Sequence, residues 1–172
     1  MRYPLLFLLG LFCTTCTPPT VATEVEGYVF VEAERYKTWG KTKIRKWRKV
    51  KVGKTTPKRL ADPDPNHAAT ASGGAYLEAL PDTRVTHDDE LIVGTNFSNE
   101  PGKIAIIGYP IRFTTPGRYF VWVRAYSTGT EDNGIHVGLN FEWPASGQRI
   151  QWCEGKNQRT WASKQRTDAV HC

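Results

Sequence analysis

The sequence predicts an all-β chain folded as a β-sandwich, and three observations carry that expectation. Short runs rich in β-branched and aromatic residues recur along the chain, glycine and proline turns separate them at short intervals, and patterns of helical period are nearly absent. A length of 172 residues, 40% hydrophobic and 12% aromatic, suits one domain with a real core.

The first residues read as an export signal: Arg2 is a short basic flank, and the apolar stretch from Leu5 to Phe12 is too short for a permanent membrane span. Cys13 and Cys16 follow, then the polar tether Thr17-Pro18-Pro19-Thr20. This arrangement resembles a bacterial lipoprotein signal, and the resemblance implies lipidation at Cys16, behind the small Thr14 and Thr15. Cys13 departs from the usual Leu of such signals, and ordinary cleavage near Ala22 is the alternative. The expectation is an exported protein, periplasmic or at the cell surface, held to a membrane by lipid. Residues 1–16 are then signal, 17–26 linker and 27–172 the domain.

The first expected strand, Gly27 to Glu34, ends in Glu32-Ala33-Glu34. In a strand, side chains at i and i+2 share a face, so both carboxylates would converge on one site, and Ca²⁺ is the usual means of neutralising such a pair. A solvated polar strand end is the plain alternative. From Arg35 to Arg59 the chain carries twelve cations and no acid, and the segment closes on the turn-rich Asp62-Pro63-Asp64-Pro65-Asn66. It reads as a basic insertion over 35–67, within which Arg45-Lys46-Trp47-Arg48 is either strand or loop. With that segment and Arg2 set aside, ten cations face seventeen acids, so the overall charge of +6 is local. A local basic stretch on an exported chain points to an anionic polymer or membrane surface and away from nucleic acid.

Ala75 to Leu80 is a short strand closed by Pro81-Asp82. Lys103 to Phe113 is strand-like with a break at Pro110, and Thr115-Pro116-Gly117 is a tight turn. Tyr119 to Ala125 gives the clearest strand signal and places Trp122 in the core. Gly134 to Leu139, Gln148 to Cys153 and Gln158 to Ala162 complete the set. Cys153 reads as a buried thiol or as half of one disulfide, with Cys172 the other remaining cysteine.

No nucleophile elbow, phosphate-cradling loop or zinc-binding helix motif occurs, and the acid runs Asp88-Asp89-Glu90 and Glu131-Asp132 sit beside turns, as solvated loops do, so the chain reads as non-enzymatic. Six tryptophans exceed what a small core requires. Exposed indoles stack on sugar rings, which makes Trp39, Tyr126, Trp143, Trp152 and Trp161 candidate carbohydrate-binding residues.

Glu32-Ala33-Glu34, Ser72-Gly73-Gly74-Ala75-Tyr76-Leu77 and Pro116-Gly117-Arg118-Tyr119-Phe120-Val121-Trp122-Val123-Arg124-Ala125 together resemble carbohydrate-binding modules of families 6 and 35. They are also similar to the C-terminal module of family 115 glycoside hydrolases. The resemblance spans roughly residues 27 to 165 and implies a galactose-binding-like β-jelly-roll. It further implies polysaccharide binding without catalysis and a structural Ca²⁺ held by Glu32 and Glu34. The family closes with two further strands that bring another acid to the metal, and no such strands follow Gln165. The domain is therefore expected to be C-terminally incomplete and its metal site partial. An ancillary piece of a glycoside hydrolase and a protein-interaction sandwich are the alternative readings.

Overall fold

The computed structural model describes residues 21–37, 44–84, 86, 88–127 and 133–167. Trp39, Cys16 and Cys172 lie outside these residues. Eight strands form: β1 (Ala22–Thr23), β2 (Lys46–Lys51), β3 (Ala75–Leu80), β4 (Ile111–Arg112), β5 (Val123–Ser127), β6 (Gly134–Ile135), β7 (Ile150–Gln151) and β8 (Gln158–Ala162). All helical segments among the described residues are single 3-10 turns, so the chain is strand-rich as expected. No described helix is long and apolar enough to cross a membrane.

The strands pair in twos: β1 with β4 in parallel, and β2 with β3, β5 with β8 and β6 with β7 antiparallel. The β5–β8 ribbon runs from Val123 opposite Ala162 to Ser127 opposite Gln158. Its inner face is built of small and β-branched residues. Ala162 joins the buried Ile150 and Trp152, and Val123, Ala125, Ile135 and Val137 pack against them. Burying these apolar surfaces anchors the ribbon as a firm platform.

Several sequence expectations need correction. The Gly27 to Glu34 strand does not form: Val25 and Tyr28 bridge across a tight turn, and Ala33–Arg35 is a 3-10 turn closed where the Arg35 N–H donates to the Glu32 carbonyl (3.0 Å). Residues 22–26, expected as linker, hold β1. Of the two readings of Arg45-Lys46-Trp47-Arg48 the strand forms: the basic segment supplies β2, paired rung for rung with β3 from Lys46 opposite Leu80 to Lys51 opposite Ala75. Its lysines suit a strand whose outer positions face water, while Val50 is buried. Trp122 is 59% exposed and lies outside the core. The β8 partner ends opposite Val123, so residues 119–122 have no ladder to hold an inward alternation.

Cys153 is disulfide-bonded, the second of its two expected states.

Candidate functional site

Alternation along β5 and β8 sorts their side chains between two faces. Val123, Ala125, Thr160 and Ala162 turn toward the core, which leaves Arg124, Tyr126, Arg159 and Trp161 together on the opposite face. Arg124 stands directly across from Trp161, and Tyr126 directly across from Arg159. Trp161 is 57% exposed and Arg124 is exposed, while Tyr126 and Arg159 are half-buried.

The buried end of this face is a polar and aromatic junction. His67 stacks on Tyr126 with ring centroids 3.7 Å apart and planes 20° from parallel. The Arg159 guanidinium lies 5.3 Å from the Tyr76 ring centre and 5.9 Å from that of Tyr126, a cation–π geometry. It also donates to the His67 carbonyl (2.9 Å) and the Thr70 hydroxyl (3.3 Å). Desolvation lowers the Arg159 pKa, and the nearby Arg124 charge lowers it further. Burial also holds the His67 imidazole below its ordinary pKa, with Asp64 opposing and Arg159 reinforcing the shift. Among the described residues Arg124 has no carboxylate partner, so its exposed guanidinium stands across from an open indole, while Arg159 adds positive charge from the junction. Such a face suits a ligand with apolar ring faces and negative substituents.

Behind the junction lies Glu78 on β3. Burial, together with the charges of Asp62, Asp64 and Asp82, pushes its carboxyl up to about 7, and the Tyr76 hydroxyl donates to it (3.3 Å). Asp82 is held by an ion pair with Arg45 (3.1 Å).

The five sugar-stacking candidates separate. Tyr126 and Trp161 share the outer face of the β5–β8 ribbon. Trp152 belongs to the core instead: it is 3% exposed, and its indole N–H donates to the carbonyls of Val123 and Thr160, both at 3.3 Å. Trp152 falls two residues after the buried Ile150, on the same inward side. Trp143 is half-buried beside the hairpin where Leu139 bridges Glu142, and it lines an open concavity with Asn140 and Pro144. Trp39 lies outside the described residues. Arg124, Arg159 and His67 were missed in the sequence. The strict alternation of Val123-Arg124-Ala125-Tyr126 and Arg159-Thr160-Trp161-Ala162 was the signal for the two arginines, whereas nothing local marks His67.

Glu32 and Glu34 both reach the Ser72–Gly74 turn, from a 3-10 turn and not from a strand face. The Ser72 hydroxyl donates to Glu32 Oε1 (2.8 Å), and a Cβ placed on Gly73 would lie 3.7 Å from Glu34 Oε1. The two carboxylates and the hydroxyl are oxygen donors of the kind Ca²⁺ takes, a part of its roughly six to eight. Among the described residues no group of three metal-ligating side chains gathers.

No known family profile matches the chain, and no solved structure matches it. The chain is 53% identical over 153 residues to "Uncharacterized protein P23" of Formosa agariphila. That match covers 87% of this chain and 36% of the relative, so the chain spans about a third of the length of the curated relative it matches.

Proposed function

We propose that the chain is a non-catalytic β-sandwich module that binds polysaccharide, with a preference for anionic glycans. The observation that supports this reading is the exposed indole of Trp161, set on a core-backed ribbon directly across from the exposed Arg124. The indole stacks on a sugar ring while the exposed Arg124 guanidinium pairs with uronate or sulfate substituents. On this reading the module is exported and anchored to a membrane through lipid on Cys16, with the ribbon turned toward the polymer.

Binding isotherms of the chain and of Trp161→Ala on acidic and neutral polysaccharides at two ionic strengths test the proposal. Loss of the indole weakens binding about tenfold, and raised salt weakens binding to the acidic polymer selectively. Equal, salt-insensitive affinity for both polymers would overturn the anionic preference. Release of reducing ends by the purified chain would show an enzyme, and binding that soluble sugars fail to compete would indicate a protein partner.

A further inference from the structure

A second surface, sharing no residue with the ribbon face, carries its own chemistry. Between β2 and the loop that follows it lies a concavity of about 280 Å³, near the lower end of ligand-pocket sizes. Arg48, Lys49 and Lys54 line it, together with the hydroxyl-bearing Tyr36, Thr55 and Thr56. Its floor is apolar, and Val50 and Leu80 beneath it are buried.

The walls are fixed on both sides. Six consecutive rungs to β3 hold Arg48 and Lys49 in register. The turn after β2 passes through Gly53 at φ +68°, a conformation other residues adopt at a cost. Asn66 Nδ2 pins that turn by donating to the carbonyls of Lys51 (2.9 Å) and Lys54 (2.8 Å). The far wall is a 3-10 turn, Lys58–Leu60, in which the Leu60 N–H donates to the Pro57 carbonyl (2.8 Å).

Among the described residues no carboxylate lines the concavity. Arg48 stands across from Glu78 on β3, yet the hydrogen bond made by the Glu78 carboxyl is to Tyr76. Among the described residues, none of Arg48, Lys49 and Lys54 forms an ion pair. Alternation along β2 turns the Lys49 side chain to the face opposite Arg48 and Val50, so Arg48 and Lys54 are the cations offered to the hollow, and an anion seated between them accepts charge-assisted hydrogen bonds. The apolar floor adds a surface for the body that carries the charge.

We infer that this concavity is a binding site for an oxyanion of the sulfate type, free or carried as an ester on a sugar-sized group. The site is distinct from the Trp161 face and does not depend on the polysaccharide reading. Its test is a heteronuclear NMR titration of the full chain at constant ionic strength, with galactose 6-sulfate, inorganic sulfate and galactose as separate probes. Galactose 6-sulfate should give saturable shifts at amides between Arg48 and Thr56, and galactose should give none there. The double variant Arg48→Gln with Lys54→Gln should weaken the sulfate-dependent response about tenfold, and Lys54→Arg should retain it. Tighter binding of the ester than of inorganic sulfate assigns the site to a sulfated sugar, and equal binding assigns it to the free oxyanion. Trp161→Ala should leave these shifts unchanged, which separates this site from the ribbon. The inference is overturned by an absence of saturable shifts in this segment, by equal shifts with galactose, or by shifts confined to Arg124 and Trp161.

Discussion

The carboxylate of Glu24 accepts hydrogen bonds from the Thr114 N–H (2.8 Å), the Thr115 N–H (3.0 Å) and the Tyr119 hydroxyl (2.7 Å). These donors, Tyr119 foremost, hold its pKa down to about 2. Glu78 is driven the other way, up to about 7, by burial and by three neighbouring acids. The two residues therefore give stability opposite dependences on pH. Glu24 binds fewer protons in the folded state than unfolded, so its contribution is complete above pH 4.5 and is lost as pH falls toward 2. Glu78 binds more protons folded than unfolded, so its contribution is complete below pH 4.5 and is lost as pH rises through 7. Urea midpoints measured against pH should show the acid-side loss flattened in Glu24→Gln. In Glu78→Gln the alkaline-side loss should shrink, with a relative gain of about 1–2 kcal/mol at pH 8 after allowance for solvent screening. Parallel curves for Glu78→Gln and the unaltered chain would show that Glu78 ionises freely.

At the scale of the element, β5 and β8 illustrate how one ribbon assigns unlike roles to like residues. Trp152 lies beneath the ribbon and Trp161 on top of it. Trp152→Ala should cost about 3–5 kcal/mol by thermal or denaturant unfolding, as large core truncations do, and Trp161→Ala less than about 0.5 kcal/mol. Comparable losses would contradict the two-faced ribbon. The limits of β3 and β8 were legible in the sequence, because Ala75 to Leu80 and Gln158 to Ala162 are short, apolar or β-branched runs between clear turn residues. The run Tyr119 to Trp122 misled for a physical reason: its composition fits a strand, yet a strand needs a partner, and β8 ends opposite Val123. The lysines of β2 left strand and loop undecided in the sequence, since only Val50 is fully buried and pairing to β3 supplies the rest. For the candidate site, Trp161 and Tyr126 could be named from residue type alone. Their union with Arg124 and Arg159 depended on a register between segments more than thirty residues apart.

Across the whole molecule, small strand pairs are tied together by side chains as well as by backbone hydrogen bonds such as that from the Gln151 N–H to the Lys164 carbonyl. Arg159 on β8 meets Tyr76 on β3 and the His67 carbonyl, joining the β5–β8 ribbon to the β2–β3 ribbon. Arg159→Gln keeps hydrogen-bonding capacity while removing the cation–π contacts, and should cost about 1 kcal/mol. Its clearer effect is on cooperativity: hydrogen exchange should report different opening free energies for the two ribbons in the variant and a common one in the unaltered chain. Unchanged, coincident exchange in the variant would place the coupling elsewhere. The β1–β4 pair adds a further tie of long reach, since Ala22 pairs with Ile111 and Thr23 with Arg112. The residues just after β1 then secure the turn that leads toward β5. A recombinant domain begun at Gly27, where the sequence first suggests a boundary, would discard this strand together with the carboxylate that organises residues 114–119. The practical start of the folding unit therefore lies at or before Ala22, and a protease cutting between Thr23 and Gly27 would release a turn nearly a hundred residues downstream.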